Sequence, residues 1–376
     1  MLCWLLGAVL LCASAWAIGC PLCMGAFQQS KAQELIAATH VVLAVPTADP
    51  SRFRVIDVVK GGQPSSATIE GGYPRNAPVL AAAQPRGKTL LLVRDDPLST
   101  WTIVGTIGAE HLGWLRRLAA GKRSTEMNAD EWRARLSLLL PYLENREPLV
   151  AEIAYGEFAA APYAALLTVK ARLAAPAIRR WVADPSLAAR QPLYLLLLGI
   201  AGDERDAAGL ERRLDAAWAS TDATYLGPMI AADLQLRGPA RMAWVDERYI
   251  RNHQRSTREL EAVLLALGVQ GNANAAIPRE RVIESYRLFI KARPEIAGYV
   301  AQDLASWNYW DAVPEYVALM KSETRQQYPS RLAIVAYLRQ SPDGGRGVEL
   351  SASEMRATDP AAMAAFPVPA PPKQSQ

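Results

Sequence analysis

The sequence predicts an α+β protein that is mostly α: a small N-terminal β-barrel-like module followed by an α-solenoid. Three observations carry the prediction. Short runs rich in β-branched residues crowd positions 41–104, and no convincing strand follows residue 110. From there to residue 340 the apolar spacing is helical, broken by Gly or Pro at short intervals. Helical pairs begin near 187, 222, 256 and 295, a recurrence of 34 to 39 residues that matches stacked helical hairpins.

The bulk numbers allow this architecture. A chain of 376 residues has room for about two domains. It is 51% hydrophobic and 21% charged, which is enough to build cores. The net charge of +4 comes mostly from arginine and is spread without a block of like charges. The richest basic stretch, Arg116-Arg117 through Lys122-Arg123, is short. Nucleic acid needs a coherent basic face, so it is not an expected partner.

The chain reads in four parts. Residues 1–19 form an uncharged, apolar leader, either a signal peptide or a membrane anchor. Ala15-Trp16-Ala17 fits signal peptidase cleavage, and Ala17-Ile18-Gly19-Cys20 resembles the lipobox that makes a cysteine the lipidated first residue. An uncleaved leader is long enough to span a bilayer. Each of these readings places the protein outside the cytoplasm, periplasmic or membrane-associated.

Residues 20–109 carry the β-module. A helix is expected over 27–38, where Phe27, Leu35 and Ile36 share a face. Strands are expected at 41–45, 53–59, 68–70, 89–93 and 101–104, with a Gly- and Pro-rich loop over 61–87. Five short strands beside one helix suggest a small barrel. Helix, strand, strand and then Val58-Val59-Lys60-Gly61 resembles the OB-like netrin and metalloprotease-inhibitor modules, which also begin at an N-terminal cysteine. Their further cysteines have no counterpart here, because all four of this chain lie in its first 23 residues.

Residues 110–340 are the helical array. Helices 187–201 and 203–219 meet at Gly202, and 222–236 and 239–251 meet at Gly238-Pro239. Helices 256–270 and 278–291 are separated by Gly271 and Pro278, and 295–305 and 310–321 precede a last helix at 328–339. One hairpin leaves an apolar face bare, and stacking buries that face as a continuous core. Asp203-Glu204-Arg205-Asp206-Ala207-Ala208-Gly209-Leu210 resembles the second helix of a HEAT repeat, and Asp311-Ala312-Val313-Pro314 echoes it. Residues 341–376, ending near Phe366-Pro367-Val368-Pro369, read as a disordered Pro-rich tail.

The order of parts also resembles a group of exported bacterial proteins, chiefly from planctomycetes, that share a Cys-Pro-x-Cys start, a short β-module and a helical array. The likeness rests on Ala154-Tyr155-Gly156-Glu157-Phe158 through Tyr163, on Leu193 to Asp206, and on Ile277-Pro278-Arg279-Glu280-Arg281-Val282. It implies an architecture and no activity.

Candidate chemistry begins with Cys20 and Cys23. The pair can be a local disulfide, a redox dithiol or half of a zinc site, and Cys20 alone can take a lipid. Haem attachment would require histidine at position 24, where Met24 stands. Zinc requires about four ligands. The histidines are His40, His111 and His253, of which His40 is the candidate third ligand. A disulfide closing so short a loop contributes about 2 kcal/mol. No metal or other cofactor is expected.

No nucleophile elbow, phosphate loop, zinc-protease helix or dinucleotide fingerprint occurs. Asp203, Glu204 and Asp206 read as acids at a helix N-terminus, where negative charge meets free N–H groups. Glu157 is expected to face Arg179 or Arg180. Trp307, Tyr309 and Trp310 crowd a turn, and Trp181, Trp218 and Trp244 are spaced along the array. They are either a peptide- or glycan-binding stripe or interhelical plugs.

The expected function is therefore non-enzymatic: a cell-envelope scaffold or adaptor that binds a protein or peptide through its repeats. The alternative is a thiol-dependent redox or metal-handling role carried by Cys20 and Cys23. A third reading is an inhibitor-like role for the β-module.

Overall fold

The computed structural model describes residues 21–23, 30–49, 51–71, 88–96, 98–274 and 276–342. The leader, Cys20 and the tail beyond residue 342 lie outside them, as does most of the Gly- and Pro-rich loop. No helix among the described residues is long and apolar enough to cross a membrane.

Helix α1 (Lys31–Ala37) starts at Ser30, whose hydroxyl accepts the Gln33 N–H at 3.1 Å. Five antiparallel strands follow: β1 (His40–Pro46), β2 (Arg52–Lys60), β3 (Thr68–Glu70), β4 (Lys88–Arg94) and β5 (Thr102–Gly108). Their order is β3-β2-β1-β4-β5. The expected barrel is not closed. Strand β3 has three residues and pairs with β2 only at positions 52–54, too short a ladder to seal against β5. Among the described residues the two edges meet at one parallel bridge, between Gly71 and Trp101.

Both faces of the sheet are buried, which is why β1 and β4 read as continuous apolar runs. Side chains alternate between the faces. Val42, Ala44, Phe53, Ile69, Leu90, Leu92 and Trp101 form a small core on one side. Val41, Leu43, Leu91, Val93 and Ile107 face the other way and belong to the main helical core. Sheet and helices therefore share a core.

Between sheet and array run α2 (Leu112–Ala119), α3 (Ala129–Leu139), α4 (Pro148–Ala160), α5 (Tyr163–Leu167) and α6 (Ala175–Ala183). Helix α1 packs on α2 and α4, and α4 also packs on β5. The array itself comprises α7 (Gln191–Ala201), α8 (Glu204–Ser220), α9 (Leu226–Arg237), α10 (Met242–Val245), α11 (Thr257–Ala273) and α12 (Arg279–Ala292). It continues through α13 (Ala301–Ser306), α14 (Val313–Lys321) and α15 (Tyr328–Gln340). Helix α10 runs into a π-helical turn at Asp246–Ile250.

Helices α7, α9 and α11 lie side by side as an inner row. Residues Leu226 to Leu234 of α9 are all buried, the mark of a helix enclosed on every side. The row is closely spaced. A Cβ at Gly199 of α7 would lie 2.5 Å from the Ala232 Cα of α9, so only glycine lets these two backbones approach. Helices α8 and α12 flank it, packed on α9 and α11, and with α10 make up the outer elements of the array, its outer row. Capping boxes start α3, α8 and α11, at Asn128, Asp203 and Ser256.

Candidate functional site

Of the N-terminal cysteine motif, Pro21, Leu22 and Cys23 fall within the described residues. They rest on the helical array. Leu22 is 9% exposed and Cys23 is 6% exposed, and both belong to the main core. The Leu22 Cδ2 sits 2.7 Å from where a Cβ at Gly227 would stand, beside the Ala262 carbonyl of α11. Leu22 thus fills a crease between α9 and α11 that exists because residue 227 has no side chain. Burial first, and then charge on Cys23, push the Tyr155 phenol of α4 up to about 12.

Tyr155 has its own supports. The Arg190 guanidinium lies 5.0 Å from its ring centroid and its Nη1 is 2.6 Å from the Glu144 carboxylate. That carboxylate also accepts the Tyr194 hydroxyl. Burial first, and then this carboxylate, raise the Tyr194 pKa. Glu144 sits at φ 54°, the left-handed region that non-glycine residues seldom adopt.

His40 is elsewhere. Its Nδ1 is 3.0 Å from the Thr39 hydroxyl and its ring meets the edge of Trp101. Neither His40 nor Cys23 belongs to a metal-like cluster among the described residues. Such a cluster does form at Glu110, His111 and Glu147, with one ligand atom from each within 4.8 Å of the others. Its hydrogen bonds argue against a cation. The Trp114 indole N–H, a donor only, bonds to His111 Nδ1 at 3.0 Å. The neutral ring therefore carries its proton on Nε2, the nitrogen that faces Glu147 Oε1 at 3.6 Å, and no lone pair is left there for a metal. Glu147 Oε2 accepts the Gly108 N–H at 2.9 Å. The cluster is a staple between the end of β5 and the start of α4.

The expected contact from Glu157 to Arg179 or Arg180 is not made. Glu157 is fully buried and pairs with Arg135 of α3 at 3.0 Å. Its other oxygen accepts the Ser30 hydroxyl at 2.7 Å and the Gln33 amide at 2.9 Å. The reason is position. Glu157 lies on the face of α4 turned toward α1, where Gly156 lets Ser30 approach, so its ion pair locks α1 to the helices. Arg179 instead holds Asp203 and Asp206, each at 2.8 Å. The arginine, together with backbone hydrogen bonding at Asp203, keeps the Asp206 carboxyl below its usual range despite burial. Asp203 and Asp206 cap α8, as acids at a helix start should.

The aromatic triplet is built into the array. Trp307 stacks on Tyr286 at 5.6 Å and 6°, lies beneath Arg279, and donates its N–H to Asn272 at 2.7 Å. Trp310 packs on Tyr337 at 5.1 Å, and the Tyr309 carbonyl accepts the Tyr337 hydroxyl. Trp307, Tyr309 and Trp310 are each partly buried against the main core and keep part of their surface exposed. Trp181 packs against Tyr194 at 5.1 Å.

Sequence reading missed a larger aromatic assembly. Arg241 lies 3.8 Å from the Trp244 ring, and Arg248 lies 4.8 Å from Trp244 and 4.4 Å from Trp218. Arg255 completes the ladder, 3.6 Å from the Trp218 ring. Buried Tyr249 meets both tryptophans edge-on from beneath. The spacing of Arg241, Trp244 and Arg248 at i, i+3 and i+7 puts them on one helical face and was the available signal. A cleft of about 680 Å³ opens beside the ladder, lined by Gly202, Glu204, Gln235, Arg237, Arg241 and Trp244. Arg237 and Arg241 are tied there to Asp233 and Glu211.

Against known proteins, no family model, no curated protein and no solved structure matches this chain.

Proposed function

We propose that this protein is a non-enzymatic scaffold of the cell envelope that binds a protein or peptide through a HEAT-like solenoid. One observation carries the reading: the inner row of helices already holds a short turn of its own chain, with Leu22 seated between α9 and α11. A crease that takes the Leu22 side chain in this way has the chemistry to take an apolar side chain of a peptide. The side-by-side packing of α7, α9 and α11, each followed by an outer helix, supports the solenoid. Strand order β3-β2-β1-β4-β5, with a parallel contact between the outer edges, supports an OB-like module in front of it. Location in the envelope rests on the uncharged leader and on Cys20, and the likeness to planctomycete-type exported proteins agrees with it.

Leu265 of α11 gives the test, since it is 44% exposed on the inner row. A photo-crosslinking residue at Leu265, compared with one at exposed Arg212 on the outer row, should capture a defined partner from intact envelopes only at the inner position. Equal capture at both positions, or none at either, would count against the scaffold.

The thiol-dependent alternative draws on the burial of the Cys23 side chain in the main core. Partners that survive Cys20→Ser with Cys23→Ser favour the scaffold. Loss of a redox activity or of bound metal with those changes alone favours the thiols.

A further inference from the structure

We infer that Pro21-Leu22-Cys23 is a strap clamped onto the helical array, with Leu22 as its bolt and Gly227 as the socket, and that it shields the Cys23 thiol. The inference rests on the scaffold reading for the purpose of the strap, whereas its closure can be read by itself.

Geometry holds the strap at two adjoining residues. Leu22 reaches the α9/α11 crease, and Cys23 beside it is 6% exposed within the same core. The socket is a glycine in the buried first turn of α9. That position makes sense where something must approach the backbone. An alanine Cβ would meet Leu22 Cδ2 at 2.7 Å and the Ala262 carbonyl oxygen at 2.9 Å.

The strap controls access to Cys23, which gives a direct measurement. In the full chain carrying Cys20→Ser, maleimide labelling of Cys23 is followed by mass spectrometry of the peptide that contains it, which separates it from Cys3 and Cys12. Labelling of the native protein should be far slower than in denaturant. Leu22→Ala removes most of the bolt's burial and should speed native labelling by about tenfold or more. Gly227→Ala should act in the same direction by pushing the bolt out. It alters a buried helix, so Leu22→Ala, which lies outside every helix, is the deciding variant, provided its thermal unfolding matches the parent. Native labelling as fast as in denaturant would overturn the strap, and so would a rate unchanged by Leu22→Ala. Neither result depends on a partner, so the strap can fail while capture at Leu265 stands, and the reverse.

Discussion

The inner and outer rows of the array are held together by different physics. Inside, α7, α9 and α11 meet through apolar side chains and bare backbone, with glycine at the closest approaches, Gly199 to Ala232 and Gly227 to Ala262. Outside, arginines tie each element to a neighbour. Arg179 reaches Asp203 and Asp206, Arg241 reaches Glu211, Arg248 reaches Asp215, Arg281 reaches Asp246 and Arg287 reaches Glu315. The inner row is short-range and unforgiving, because a packed interior cannot absorb added volume. Arg248 with Asp215 and Arg287 with Glu315 are partly exposed and each contributes little alone, whereas Asp206 and Asp246 are buried and costly to leave unpaired. Burial, more than charge, should decide what a substitution costs.

Glu157 offers the sharpest test, since it is an ion pair placed under inner-row conditions. Glu157→Ala leaves Arg135 buried without its counter-charge and strips Ser30 and Gln33 of their acceptor. The expected loss is about 3–5 kcal/mol, read as a fall in the denaturant midpoint. Arg287→Ala, at an exposed outer pair, should lose less than about 1 kcal/mol in the same assay. Similar losses for the two would break the comparison. Next in size is Gly199→Val, which places side-chain carbon against the α9 backbone. It should lose about 1–3 kcal/mol. Gly209→Ala on α8, where the nearest atom to the new Cβ is 3.9 Å away, should be neutral or slightly stabilising.

These two positions also show what could be read from the sequence. Gly199 and Gly209 look alike in the chain, and nothing local says that one faces a backbone and the other solvent. What was legible is the hairpin rhythm: Gly and Pro breaks placed helices near 187, 222 and 256, where the structure starts α7, α9 and α11 at 191, 226 and 257. The acidic run at Asp203 was legible because caps are local. The three-residue strand at 68–70 was legible, but the openness of the sheet was not, because which edges meet is decided by pairing: β3 pairs with β2 at 52–54, and the outer edges touch at the single Gly71–Trp101 bridge among the described residues. The Glu157 partner was not legible either. Arg135 lies 22 positions away across a loop, and the choice among Arg135, Arg179 and Arg180 is made by packing of α1 on α4. Leu22 in its socket joins residues 205 positions apart.

The Arg and Trp ladder lies between the two regimes. Arg248 is sandwiched by Trp218 and Trp244, while its carboxylate partner Asp215 is 56% exposed. If the stacking matters and the ion pair does not, Arg248→Ala should lose about 1–2 kcal/mol and Asp215→Ala almost nothing. Arg248→Lys should recover little, because an ammonium has no flat face to lie between two rings. A full recovery by lysine would assign the effect to charge, and the outer row would then be electrostatic throughout.

The smallest expected effect tests, through a proton, the end of the inner row where Asp303 of α13 lies against Gly268 of α11. Asp303 is half-buried, has no cationic partner among the described residues, and accepts a hydrogen bond from the Tyr286 hydroxyl at 2.6 Å. Burial raises its pKa above the ordinary 3.8, and the Tyr286 hydrogen bond opposes that rise. A folded-state pKa above the unfolded value means that the folded protein holds the proton more tightly. The resulting stability is complete below the unfolded pKa and is lost as pH rises through the folded value. Asp303→Asn keeps an acceptor for Tyr286 and removes the titration. The variant should unfold with the parent below about pH 4 and exceed it increasingly as pH rises toward neutrality. Urea midpoints for both proteins across that range measure the difference directly, and subtracting them cancels the carboxylates they share. A constant difference would mean that Asp303 is solvated in the folded chain, and the inner row would then be wetter at its C-terminal end than at α9.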